Sequence, residues 1–320
     1  MEKPGQNSRP STFGGDGFSR RNIVFRQEMG QIWKSCGVSC EGDRLRQIIL
    51  AEPGPEMQVV EPPNQWLLLK EVNLPRLQKQ AKAVAAYFES EGVEVHRVPY
   101  SESTTPNWIF MRDLFWSTPE GVFLARPASW QRAGEEKIIQ RFLARHAIPQ
   151  LGMPRGLELF EGADALWLNH QTILLGEGNR TNFQWRQALM GELSRGVGDS
   201  EKNLVYGPLP DDIQHLLGVI NFVSPNRAAI WRGKTPDWIV QTLQIHNIHI
   251  LELPNIAEMR IQRAMNWVCM GPDHVVMPHD CPEIAAILNK NGVKTDFLDV
   301  SEYRSAGGAL GCLTGILERY

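Results

Sequence analysis

The chain has 320 residues, 42% of them hydrophobic and 22% charged, with a formal net charge of −3 and a pI near 6.3. That length can bury a full core in one large domain or two, and the weak negative charge excludes bulk attraction to nucleic acid or an anionic membrane. Five cysteines, at 36, 40, 269, 281 and 312, suggest no disulfide framework, and no apolar run approaches the roughly 18 residues of a membrane span. A reducing, cytoplasmic setting without a signal peptide is therefore expected.

In chain order, residues 1–43 read as an N-terminal tail, flexible at least to about residue 21. Gly14-Gly15-Asp16-Gly17 and their polar neighbours carry too little apolar surface to offset the cost of ordering. Residues 44–320 are expected to form one domain, because from Arg44 onward a single layout recurs: a short apolar strand, a Gly/Pro turn, an amphipathic helix and a second apolar strand.

The first unit predicts a strand at 47–53, a helix over 74–90 and a strand at 93–99, with Pro62, Pro63 and Pro75 blurring the helix start. The second predicts 122–127, a helix over 134–146, and 148–151. The third predicts 172–176, a helix over 182–195, and 203–206. The fourth has 228–231, a helix over 235–246 with Pro236 in its first turn, and 249–253. The fifth has 274–278, a helix over 281–291 ended by Gly292, and 294–300.

A connecting segment follows each second strand, and unusual residues collect there. Asp113, Glu161, His215, Asn266 and Cys312 fall in the five segments at spacings of 48, 54, 51 and 46 residues. No unit buries its apolar faces alone, so five of them are expected to close as a ring in an α/β fold. Residues at cognate positions then converge near its axis.

The last segment, 305–314, sets three glycines within six residues of Cys312, a backbone that admits close approach of a small ligand to one thiol. A cysteine and a histidine in one pocket make a nucleophile and an acid/base. Two carboxylates beside them repel unless a cation lies between, and a planar guanidinium fills that place with its fork of N–H donors. The expected chemistry is attack of the Cys312 thiolate on a guanidinium carbon, protonation of the departing amine by His215, and release of the covalent amidino-cysteine by water or by an amine. Asp113 and Glu161 hold the cation, and Glu161 also aligns His215.

Taken together, Asn107…Phe110-Met111-Arg112-Asp113, Phe160-Glu161-Gly162-Ala163-Asp164, Arg180-Thr181-Asn182, His215-Leu216 and Gly307-Gly308…Cys312-Leu313-Thr314 resemble the guanidino-group-modifying enzymes of the pentein superfamily. That group contains arginine deiminases, dimethylarginine dimethylaminohydrolases and amidinotransferases. The resemblance spans roughly 44–319. It implies a five-bladed, pseudo-fivefold α/β-propeller without metal or organic cofactor, with Cys312, His215 and Glu161 catalytic and Asp113 and Asn107 at the substrate. It also points to Arg132, within the pattern Arg-Pro-x-x-x-x-Arg-x-Gly-Glu at 126–135, and to Arg180 as partners of a substrate carboxylate.

Asp164 is either a second guanidinium ligand or an acceptor for turn amides. Arginine deiminases carry an aspartate two residues after the catalytic histidine, where this chain has Leu217, so hydrolysis of a substituted guanidine is favoured over deimination of free arginine. Amidino transfer to an amine is the alternative. The rival from another class is a non-catalytic binding module, since the same fold occurs in a ribosome-subunit anti-association factor. The expected partner is a small guanidino molecule, with a second copy of the chain left open. Trp108 and Trp267 read equally as pocket wall or core, and Asp280 as the cap of the fifth helix.

Overall fold

The computed structural model of the chain describes residues 19–59, 61–100, 105–194 and 202–320. The flexible tail expected at 1–21 lies, up to residue 18, outside the described residues, as does the last residue of the helix predicted over 182–195.

The five expected helices are present, and each bridges two parallel strands. The first unit holds β1 (Leu45–Ala51), α1 (Leu74–Ser90) and β2 (Glu94–Val98). The second holds β3 (Phe115–Thr118), β4 (Gly121–Leu124), α2 (Glu135–Arg145) and β5 (Gln150–Gly152), and the third β6 (Ala165–Asn169), β7 (Thr172–Glu177), α3 (Phe183–Leu193) and β8 (Asn203–Pro208). The fourth holds β9 (Ile220–Ser224), β10 (Arg227–Trp231), α4 (Asp237–Ile245) and β11 (His249–Leu253), followed by the single turn α5 (Ala257–Arg260). The fifth holds β12 (Val268–Gly271), β13 (His274–Pro278), α6 (Pro282–Lys290) and β14 (Lys294–Leu298), then α7 (Ser301–Ser305), α8 (Leu310–Leu313) and β15 (Gly315–Arg319).

Local chemistry sets these boundaries. α1 starts where the Asn73 side chain accepts the Arg76 amide at 3.0 Å, and Pro75 sits in the first turn, where no N–H is required. Gly92, at φ +77°, and Gly292, at φ +78°, follow the first and last of the long helices. For α6 the expected cap is corrected: Asp280 pairs with Arg304 at 3.2 Å, and the Glu258 carboxylate accepts the Glu283 and Ile284 amides at 2.9 Å each. A carboxylate from another segment thus serves the free N–H groups of the helix start.

Each sheet has three strands, and the expected two-strand units lacked one. β3, β6, β9 and β12 each run antiparallel to the strand that follows, while β4, β7, β10 and β13 pair in parallel with the strand after the helix. The first unit takes its antiparallel strand from the chain's end: β15 pairs with β1, Ile48 opposite Ile316 and Ile49 opposite Gly315. Neighbouring units touch in sequence, and the fifth touches the first through β12 and β1. The architecture is the five-bladed α/β-propeller, its last strand completing the first blade.

Apolar burial forms two clusters. One gathers Ile48, Phe115, Phe123 and Leu317, the other Leu174, Phe222, Ile230, Met277 and Ile284. Trp108 and Trp267 are fully buried, with their indole N–H groups on Glu56 and the Phe222 carbonyl, so both belong to the core. Part of the segment assigned to the tail packs on the body: the Gly37 amide donates to the Leu317 carbonyl, and Glu41 pairs with Arg112 at 2.9 Å. Among the described residues no helix is long and apolar enough to cross a membrane.

Gly308 is fixed by packing. A Cβ there would lie 2.3 Å from Cε1 of Phe110, so that buried ring would have to shift. Gly308→Ala is expected to cost about 1–3 kcal/mol, measured as a lower denaturation midpoint.

Candidate active site

Each residue of the fivefold register lies just before the antiparallel strand of its blade. Asp113 closes the 3₁₀ turn Met111–Asp113 ahead of β3, Glu161 opens the turn Gly162–Asp164 ahead of β6, and His215 opens Leu216–Gly218 ahead of β9. Asn266 precedes β12, and Cys312 sits in α8 ahead of β15. These tight turns end where the buried strands begin, so all five side chains are delivered to the same end of the propeller.

A cavity of about 380 Å³ opens there, with Asn107, Asp113, Arg132, Arg180, His215 and Cys312 among its walls. Asn266 also lines it: its Oδ1 accepts the Cys312 amide at 3.0 Å, and its Nδ2 donates to Sγ at 3.0 Å. Asn266 therefore seats the thiol, and its place in the fivefold register was the available signal. Cys312 is partly exposed to the cavity, whereas Cys36, Cys40, Cys269 and Cys281 are buried. Burial and the nearby Asp113 charge push the Cys312 thiol up, against smaller opposing effects of the Ala309 backbone, Arg263 and Asn266.

His215 donates from Nε2 to Glu161 at 2.7 Å, and its Nδ1 lies 3.9 Å from Asp113. Burial opposes a charged imidazole, but Asp113, Asp164 and the Glu161 hydrogen bond outweigh it and lift His215 to about 9. For Glu161 burial again acts first, favouring the neutral form. His215, Arg132 and Arg180 override it and hold the carboxyl well below its usual range. Glu161 is fully buried and also accepts the Ala128 amide, so it stands behind His215 as its aligning carboxylate.

Of the two readings of Asp164, its contacts are those of an acceptor for groups of the turns. One oxygen accepts the Thr181 hydroxyl at 2.7 Å and the other the Leu216 amide at 2.9 Å, which pins the turn carrying His215. Arg132 departs from the expected arrangement. Its guanidinium donates to Asp113 at 2.6 Å, to Glu135 at 2.9 Å and to the Asn107 carbonyl at 3.3 Å, leaving little of its fork for a substrate carboxylate. Sequence reasoning gave no role to Glu135, which opens α2 three residues after Arg132 and binds it. Arg180 is half-committed, 3.3 Å from Glu161. The Asn107 amide donates to the Trp66 carbonyl at 2.5 Å, holding the loop before α1 over the cavity.

Asp113, Glu161 and His215 bring three donor atoms within 4.8 Å of one another, a spacing that fits a metal ion. Arg132 Nη1, 2.6 Å from Asp113 and 3.7 Å from Glu161, already supplies positive charge to both carboxylates, and a divalent cation there would face that guanidinium. One oxygen of Asp113, Oδ1, is buried without a hydrogen-bond partner.

In fold the chain is similar to solved structures of guanidino-modifying enzymes. A sequence model described as arginine deiminase matches residues 94–233, a stretch that holds Asp113, Glu161 and His215 and stops before Cys312. The N(G),N(G)-dimethylarginine dimethylaminohydrolase of Pseudomonas aeruginosa is 22% identical over 237 residues, covering 74% of this chain and 86% of its own. A solved structure of dimethylarginine dimethylaminohydrolase from the same organism, a cysteine-to-serine mutant complexed with citrulline, superposes with a TM-score of 0.69 at 18% identity, over 87% of this chain and all of that one. SxtG, an amidinotransferase of the saxitoxin biosynthetic pathway from Microseira wollei, gives a TM-score of 0.69 at 16% identity, over 89% and 97% of the two chains.

Proposed function

We propose that this chain hydrolyses a guanidino compound through a covalent amidino-cysteine at Cys312. The observation that carries the reading is the Asp113 oxygen Oδ1, which accepts no hydrogen bond and lies 3.9 Å from His215 Nδ1, buried in the wall of a cavity that also presents the thiol. A buried carboxylate oxygen lacking a donor is costly, and the N–H of a planar cation satisfies it. In that position the guanidinium carbon is offered to sulfur.

The electrostatics order the steps. Without a ligand the thiol is held protonated by burial and by Asp113, and His215 already carries its proton, so His215 cannot deprotonate the thiol. An arriving cation adds positive charge beside Asp113 and stabilises the thiolate, whose proton leaves to solvent. Sulfur attacks the guanidinium carbon, and His215 gives its proton to the departing amine as the C–N bond breaks. The neutral imidazole then takes a proton from water, whose oxygen adds to the thiouronium carbon. Collapse breaks the C–S bond, releases a urea product and restores the thiol.

Leu217, where deiminases place a second guanidinium-binding aspartate, packs into the apolar core beside Gly311. The site therefore grips one face of the guanidinium less tightly and tolerates substitution of its nitrogens. The test is a screen of arginine, methylated arginines, agmatine and simple guanidines, following ammonia, alkylamine and urea-type product with and without an added amine. Release of the urea product without the amine supports hydrolysis; turnover only with the amine assigns amidino transfer instead, and no turnover or Cys312 adduct with any guanidine removes the reading.

A further inference from the structure

Four arginines line the cavity: Arg132, Arg180, Arg260 and Arg263. The first two are tied to carboxylates. Arg260 is exposed, its guanidinium 5.7 Å from the centre of the Trp231 ring. Arg263 is half-buried, and among the described residues its side chain has no hydrogen bond or ion pair. Its five N–H donors remain open on the cavity wall.

The backbone holds Arg263 in place. It adopts φ +56°, a left-handed conformation that costs a non-glycine residue about 1–3 kcal/mol. The Ala264 amide donates to the Glu258 carbonyl at 3.1 Å and the Asn266 amide to the Arg263 carbonyl at 2.8 Å, while the Glu258 carboxylate is locked on the start of α6. Three residues on, Asn266 seats Cys312. One rigid loop therefore fixes the thiol and aims an unpaired guanidinium into the same cavity, near enough for its charge to act on the sulfur.

We propose that Arg263 is a specificity-determining residue that binds a carboxylate on the tail of the guanidino substrate, an inference that rests on the reading of Asp113 as the seat of the guanidinium. The cavity is then bipolar, with a carboxylate oxygen awaiting a cation and a guanidinium awaiting an anion. A carboxylate matches one fork and one charge, and Arg132, spent on Asp113 and Glu135, does not compete for it.

The experiment measures how well ligands protect Cys312 from alkylation by 2-chloroacetamidine. It compares ligands that carry a tail carboxylate with carboxylate-free partners of similar length: L-arginine against L-argininamide, and 4-guanidinobutyrate against butylguanidine. At least one acid is expected to protect the wild-type protein about tenfold more tightly than its partner. Arg263→Gln should weaken that acid about 10- to 100-fold and leave its carboxylate-free partner and the melting temperature unchanged, with Arg263→Lys intermediate. The inference is overturned if no acid outperforms its partner, if Arg263→Gln weakens both members equally, or if Arg180→Gln alone removes the difference. Failure of the reagent to label Cys312 in the wild-type protein brings down the hydrolase reading and this inference with it, an outcome distinct from labelling without charge discrimination.

Discussion

Replacing Cys312 with serine is expected to lower kcat by about 10⁴-fold or more while moving the melting temperature by no more than about 2 °C. A guanidinium carbon is a poor electrophile, and only a thiolate among the groups on this wall is nucleophilic enough to attack it. A serine hydroxyl has a far higher pKa, and the one acid/base in reach already carries its proton. The structural cost is small, since Asn266 accepts the backbone amide of residue 312 whatever its side chain and can donate to Oγ as it does to Sγ. Amine release and differential scanning fluorimetry on the same preparations check both halves. Turnover above a few per cent of wild type would remove Cys312 as the nucleophile.

Glu161→Gln is expected to reduce kcat by about 10²- to 10³-fold and to move the high-pH edge of activity downward. In the wild-type protein His215 must hold a proton to release the amine, so activity falls as pH rises through about 9. Removing the Glu161 charge takes away one of the contributions that hold the imidazole up, and the edge shifts toward the ordinary histidine value near 6.5. The variant also leaves Arg132, Arg180 and His215 facing a neutral amide, and breaking such a buried cluster costs about 3–5 kcal/mol. The melting temperature should therefore drop by about 10 °C, unlike that of the serine variant. A pH profile identical to wild type would show that Glu161 does not set the protonation of His215.

The helices and parallel strands were legible because each is long enough, or apolar enough, to show its period. The helix predicted over 74–90 and the strands at 249–253 and 274–278 are found with those bounds. The antiparallel strand of every blade was not legible. β3, β6, β9, β12 and β15 have four or five residues, nearly all buried, so they show no alternation and merge with the turns before them. The pairing of β15 with β1 joins residues more than 260 positions apart, which no local pattern encodes.

By itself the sequence determined that five units repeat and that Asp113, Glu161, His215, Asn266 and Cys312 hold matching places in them, because spacing along the chain survives when the residues themselves differ. Only the tertiary structure decided what each of those groups faces. It turned Asp164 toward Thr181 and Leu216, closed Arg132 among carboxylates, set Asn266 on the thiol and left Arg263 unpaired among the described residues. The reason is physical: the charge state and purpose of a buried polar group depend on partners that meet it only once the five blades have packed around one axis.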